Sequence, residues 1–170
     1  IGIKKTISFH YRIDKAEQFS KQHNKFTEPQ ISSMHIRGSY PSKIRKNIID
    51  EFKEKQKSIL TNARCLTEGV DITCVDSIIF VDPKKSSKDI VQAVGRGLRK
   101  HDEKKKCYII LPVIYEDGKI ISKDSYNNVV TILQEMSQTD SRINDIILDE
   151  LKERTSGDSG EIIPVPKEIF

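Results

Sequence analysis

Three unbroken apolar runs constrain this chain most: Ser58-Ile59-Leu60-Thr61, Ser77-Ile78-Ile79-Phe80-Val81 and Cys107-Tyr108-Ile109-Ile110-Leu111. A strand with one wet face alternates apolar and polar residues, so a continuous run marks a strand covered on both faces. Stretches with helical spacing lie between such runs. Thr6-Ile7-Ser8-Phe9 reads as a first strand, and Asp14 to His23 as a helix with Ala16 and Phe19 as its apolar positions. Gln30 to Ile36 reads as the second strand. Pro41 to Lys53 follows as a helix, with Ser39 as its cap, Pro41 in its first turn, and Ile44, Ile48, Ile49 and Phe52 as its apolar stripe. Between the fourth and fifth strands, Ser87 to Lys100 is expected to be helical, capped by Ser86 or Ser87. The pattern spells an open, mostly parallel α/β sheet with helices on both faces. Ligands of such sheets gather beyond the carboxyl ends of the strands.

The character changes after Pro112. Glu116-Asp117-Gly118-Lys119 is turn-like, and two amphipathic stretches follow, one with Val129, Val130, Leu133 and Met136, the other with Ile143, Ile146, Ile147 and Leu151. We expect an α/β domain over residues 1–113 and a helical extension with a flexible tail over 114–170. The 170 residues suffice for one such domain with an appendage. The ends, Ile1-Gly2-Ile3 and Lys167-Glu168-Ile169-Phe170, read as those of a piece of a longer protein. No apolar run approaches the roughly 18 residues of a membrane span, and no leader pattern opens the chain, so a soluble, cytoplasmic protein without a membrane partner is expected.

Cys65, Cys74 and Cys107 are odd in number and lack C-x-x-C spacing, which favours buried free thiols over a metal site or disulfides. The four histidines show no H-x-x-x-H spacing either, so no metal ligand set is expected. A net charge of +4 is only mildly basic, but lysines bunch at Lys84-Lys85, Lys88, Arg99-Lys100 and Lys104-Lys105-Lys106, which permits an anionic partner.

Two segments carry chemistry. Gln92, Gly95, Arg96 and Arg99 fall at i, i+3, i+4 and i+7, one face of the expected helix. Two guanidiniums and an amide beside a glycine suit a closely approaching triphosphate, although a solvated basic helix end has the same composition. Upstream, Thr61 to Ile72 runs from a strand end into small and polar residues, a glycine and a carboxylate. Such a turn can offer hydroxyls and N–H groups to a nucleic acid backbone, and taken alone it is an ordinary strand-to-loop turn.

In that order and with a strand between them, the two segments resemble consecutive signatures of superfamily-two helicases and translocases: Thr61 to Ile72 is similar to motif V, and Gln92 to Arg99 to motif VI, Q-x-x-G-R-x-x-R. Ile7 to Arg12 is similar to motif IV. The resemblance covers roughly Thr6 to Leu111 and implies a second RecA-like domain, with ATP and Mg²⁺ bound mainly by an N-terminal lobe outside this sequence. It implies that Arg99 is the principal arginine finger, Arg96 its partner on the phosphates and Gln92 a contact near the γ-phosphate or across the cleft. It further implies that Gly69, Asp71 and Gly95 lie near nucleotide. Thr61, Asn62, Arg64 and, from the His35-Ile36-Arg37-Gly38 stretch, Arg37 would meet nucleic acid, DNA more readily than RNA. The form Q-A-V-G-R-G-L-R-K, followed by a strand and Leu111-Pro112-Val113, is most similar to translocases of restriction-type enzymes.

No G-x-x-x-x-G-K-[ST] phosphate cradle and no D-E-x-D/H run occur, so the chain alone is expected not to hydrolyse ATP. Two other classes remain: a non-catalytic RecA-like module that binds nucleic acid or protein, and a mononucleotide- or flavin-binding α/β domain. The latter needs a Gly-rich first βα turn, and His10-Tyr11-Arg12-Ile13-Asp14 has none.

Overall fold

A computed structural model of the chain describes residues 2–26, 31–63, 65–66, 72–82, 86–99, 107–112, 115–116, 119–120, 127–128 and 131–133. Its elements run β1 (Lys5–Phe9), α1 (Ile13–Phe26), β2 (Ser32–His35), α2 (Ser42–Glu54), β3 (Ser58–Asn62), β4 (Ser77–Phe80), α3 (Ser87–Gly97), β5 (Tyr108–Ile110), β6 (Tyr115–Glu116) and β7 (Lys119–Ile120). The first five strands form one parallel sheet in the order β2-β3-β1-β4-β5. This is the expected RecA-like architecture. The chain leaves β1 toward one edge and β4 toward the other; with right-handed crossovers, α1 covers one face, and α2 and α3 the opposite one. β6 and β7 form a separate antiparallel pair that flanks the Asp117-Gly118 step.

Register decides what each face contains. Ile7 aligns with Leu60 and Ile78, and Phe9 with Phe80, so these side chains share the face toward α2 and α3. All five are at most 1% exposed, and the Phe9 and Phe80 rings stack at 5.8 Å. Each contributes about 1.5–3 kcal/mol by leaving water. The other face carries a polar row, since His35 aligns with Thr61 and Thr61 with Ser8. Thr61 and Ser8 are fully buried beneath α1, and their oxygens are accordingly hydrogen-bonded.

Several expectations are corrected in detail. β5 is half-exposed, with Tyr108 36% accessible, so that run is not covered on both faces. Pro41, not Ser39, caps α2, and it makes no side-chain cap bond. Ser86 caps α3 by accepting the Asp89 N–H at 3.3 Å. That helix ends at Gly97, short of Lys100: the Arg99 N–H reaches back only three residues, to the Arg96 carbonyl, so the last turn tightens and stops. All three cysteines are free, but only Cys107 is buried; Cys65 and Cys74 are half-buried.

Gly97 shows why this helix carries a glycine where alanine propensity would be higher. A Cβ there would stand 2.3 Å from Cys107 Sγ and 2.9 Å from Ile78 Cδ1. Gly97→Ala is therefore expected to destabilise by about 1–3 kcal/mol, read as a lower urea midpoint. Adding Cys107→Ala removes the closest obstacle and is expected to restore part of the loss; an unshifted midpoint in Gly97→Ala alone would refute this packing.

By contact, the chain divides into Ile1–Ile132 and Leu133–Phe170. The second unit, apart from Leu133, and the amphipathic stretch from Ile143 to Leu151 lie outside the described residues. No described helix is long and apolar enough to cross a membrane.

Candidate nucleotide and nucleic-acid sites

The sequence-derived site residues separate into two places. The C-terminal end of α3 packs at Gly97 against Ile78, near the amino end of β4, and against Cys107, just before β5. The arginines therefore sit at the end of the sheet opposite the carboxyl ends of the strands. Helix α3 buries Ile90, Ala93, Val94, Arg96 and Gly97. The four motif residues consequently do not share one environment: Arg96 is 5% exposed, Gln92 half-buried, and Gly95 and Arg99 exposed. Arg99 lies just beyond the helix. Gln92 Oε1 is buried with no hydrogen-bond partner among the described residues. At Gly95 a Cβ would meet nothing within 4 Å, so no internal packing demands glycine there.

At the other end, the carboxyl ends of β1, β2 and β3 bring together residues far apart in sequence. Thr61 Oγ1 donates to the Ala16 carbonyl of α1 at 2.9 Å and lies 3.1 Å from His35 Nδ1. Asn62 is fully buried, its Nδ2 donating to the Ser8 carbonyl at 3.2 Å. The side chains of Thr61 and Asn62 are thus engaged inside the protein. Arg37 lies in the loop after β2, half-buried, its guanidinium stacked over Tyr40 at 4.6 Å from the ring centre. The His35 ring meets the same Tyr40 edge-on at 6.5 Å. Arg64, Gly69 and Asp71 lie outside the described residues.

Sequence reasoning had tested the histidines for metal spacing and named His35 only within the His35-Ile36-Arg37-Gly38 stretch, so it missed the environments of two of them. His10, directly after β1, is 2% exposed, packs against Phe19 at 5.1 Å and lies 3.1 Å from Ser8 Oγ. Burial pulls its pKa down to about 4, against the opposing pull of Asp82. Burial also lowers the His35 pKa, with nearby Glu17 acting against it. Their placement at strand ends, His35 as the last residue of β2 and His10 just after β1, was the available signal. Asp82, after β4, accepts the Tyr11 N–H at 2.8 Å and so ties the β1 and β4 ends together where the strand connections diverge. Burial raises the Cys65 thiol to about 11, and it donates to the Ile36 carbonyl at 3.2 Å. No His, Cys, Asp or Glu group among the described residues could hold a metal ion.

Residues 2–101 match the family model described as the helicase conserved C-terminal domain. Among solved structures, the chain is similar to the DNA-bound ATP-dependent Type ISP restriction-modification enzyme LlaBIII, at 30% identity and a TM-score of 0.70, over 83% of this chain and 10% of that one. The C-terminal domain of the DEAD-box protein Dbp5 shares the fold at 18% identity and a TM-score of 0.55, covering 88% of this chain and 84% of that one. "Putative ATP-dependent helicase IRC3" of Saccharomyces cerevisiae is 35% identical over 64% of this chain, and the match spans only 15% of the IRC3 length.

Proposed function

Because the chain belongs to the helicase conserved C-terminal domain family, we propose that it forms the second RecA-like half of an ATP-dependent motor that moves on nucleic acid, DNA in preference to RNA. The observation that carries this reading is Arg99, an exposed guanidinium held just past the end of α3 within the matched segment. Bound ATP with Mg²⁺ would supply the transferring phosphoryl group, seated mainly on a first lobe of the same protein. Arg99 then neutralises charge that develops on that group, and Gln92 and the half of α3 bearing Gly95 line the approach. Arg96, being buried, fixes the end of α3 from beneath as well as adding positive charge. Gly69 and Asp71 complete the nucleotide side.

On the nucleic acid side, Arg37 and Arg64 supply the cations. Thr61 and Asn62 act through the strand-end scaffold they hold together, since their side chains are engaged internally. The similarity to a restriction-modification enzyme bound to DNA favours a restriction-type translocase over an RNA helicase. The 170-residue chain by itself is expected to release no phosphate from ATP with or without DNA, whereas the whole protein does so faster when DNA is added. Turnover by the pure chain that is lost in Arg99→Ala would defeat this division of labour.

A further inference from the structure

A hydroxyl has one hydrogen, and that settles the state of His35. Thr61 Oγ1 stands 2.9 Å from the Ala16 carbonyl oxygen, too close for two oxygens with no hydrogen between them, so its proton points there. The 3.1 Å contact to His35 Nδ1 must then be an Nδ1–H donated to Thr61. A neutral imidazole with its proton on Nδ1 has only a lone pair on Nε2. That atom is buried and has no hydrogen-bond partner among the described residues.

The charged and titratable groups around the ring come from every neighbouring element. Glu17 and Lys21 of α1, themselves paired at 2.8 Å, act on it with opposite signs, and Arg37 after β2 opposes its protonation. His10, at the end of β1, interacts with it electrostatically. Thr61 of β3 takes its Nδ1–H, and the Tyr40 ring lies against it. In the free protein, burial and the Arg37 and Lys21 cations lower the ring's pKa, against Glu17 and a hydrogen bond to the Thr61 backbone, which raise it.

We propose that DNA engages this cluster with uptake of one proton at His35: the Arg37–Tyr40 pair beside the ring moves aside, the covered Nε2 is laid open, and its Nε2–H donates to a phosphate oxygen while Nδ1–H stays on Thr61. The deoxyribose-phosphate backbone offers only acceptors, so a bare lone pair cannot bind it and an Nε2–H can. The approaching anion supplies the charge that makes protonation favourable, as Arg37 beside the ring no longer faces it alone. Proton uptake on binding means affinity rises as pH falls through the free histidine's titration. A ribose strand differs in kind, because its 2′-hydroxyl can donate to the neutral nitrogen with no proton taken up. This inference rests on the nucleic acid reading given above and names a regulation of that site.

The test measures binding of a fluorescein-labelled oligo-dT strand to the whole protein, at constant salt, from about pH 8 to about pH 5.5. Parent affinity is expected to rise about tenfold over this range, as uptake of a single proton allows. His35→Asn keeps a donor where Nδ1 stood but cannot titrate there; it is expected to match the parent within about twofold at the alkaline end and to lose the rise. Arg37→Ala is expected to bind more weakly at every pH with the rise intact. If Arg37→Ala binds like the parent, the nucleic acid face itself is misplaced and this inference falls with it. If Arg37→Ala is weak yet His35→Asn keeps the full rise, only the proton-uptake inference is overturned. Should His35→Asn fold poorly, the parent's His35 ring-proton resonance decides: its titration is expected to move to higher pH when oligo-dT is bound, and an unmoved titration refutes the proposal.

Discussion

Arg99→Ala in the whole protein is expected to lower DNA-stimulated ATP turnover by about 10³-fold or more, the range reported for arginine fingers in other nucleotide hydrolases. The residue is suited to so clean a test because it is exposed and lies beyond the last helical turn. Its removal should cost the fold no more than about 0.5 kcal/mol, so the melting temperature and urea midpoint are expected to stay at parent values. Arg96→Ala offers no such separation, since that side chain is 5% exposed and its loss mixes packing with chemistry. Arg99→Lys keeps the charge and loses the planar fork, and an intermediate rate is expected. Full turnover in Arg99→Ala would hand the chain to the competing view, a RecA-like module that binds without catalytic part.

The fold is expected to weaken in mild acid chiefly through His10, with His23 and His35 acting in the same direction. Folded, His10 takes its proton only near pH 4; in the unfolded chain it does so near 6.5. Between these values the unfolded state holds the extra proton, so stability is complete above about 6.5, falls as pH drops toward about 4, and levels off below. At about 1.4 kcal/mol for each tenfold change in proton affinity, the loss comes to about 3 kcal/mol. His10→Gln retains a polar group for Ser8 and cannot titrate. Across that range the parent's urea midpoint is expected to fall relative to the variant's as pH drops, whatever their offset near neutrality. Parallel acid limbs would mean that His10 is not the buried neutral base described above.

The strands of the α/β pattern were readable because both faces of a parallel sheet are covered, which turns Leu60, Ile78 and their neighbours into continuous apolar runs. Motif VI was readable as residue types, but not as environments. Its spacing places Gln92, Gly95, Arg96 and Arg99 on one helical face only if the helix continues, and the tightened turn at Gly97 ends it first. Spacing also says nothing about depth, and Arg96 went to the protein side of α3 with Ala93 and Gly97. The polar row His35-Thr61-Ser8 was invisible for a different reason. It exists only through the register of three strands whose residues lie tens of positions apart, and no local pattern records which residue aligns with which. Thr61 illustrates the cost: a strand-end hydroxyl that suits a phosphate by type is held inside by α1.

Lys5 bears on a different matter. Its buried ammonium reaches the carbonyls of Phe52 and Lys55 at the carboxyl end of α2 and lies 3.3 Å from Ser58 Oγ, while Asp76 accepts the N–H groups of Lys4 and Lys5. Sliding β1 by a single position would swing that ammonium to the opposite side and leave those carbonyls without it. The central strand is thereby locked in phase. Whatever polypeptide precedes it must enter the domain at one spot and along one heading, so a segment joined ahead of Lys4 is aimed, at its root, by a lysine rather than left to swivel.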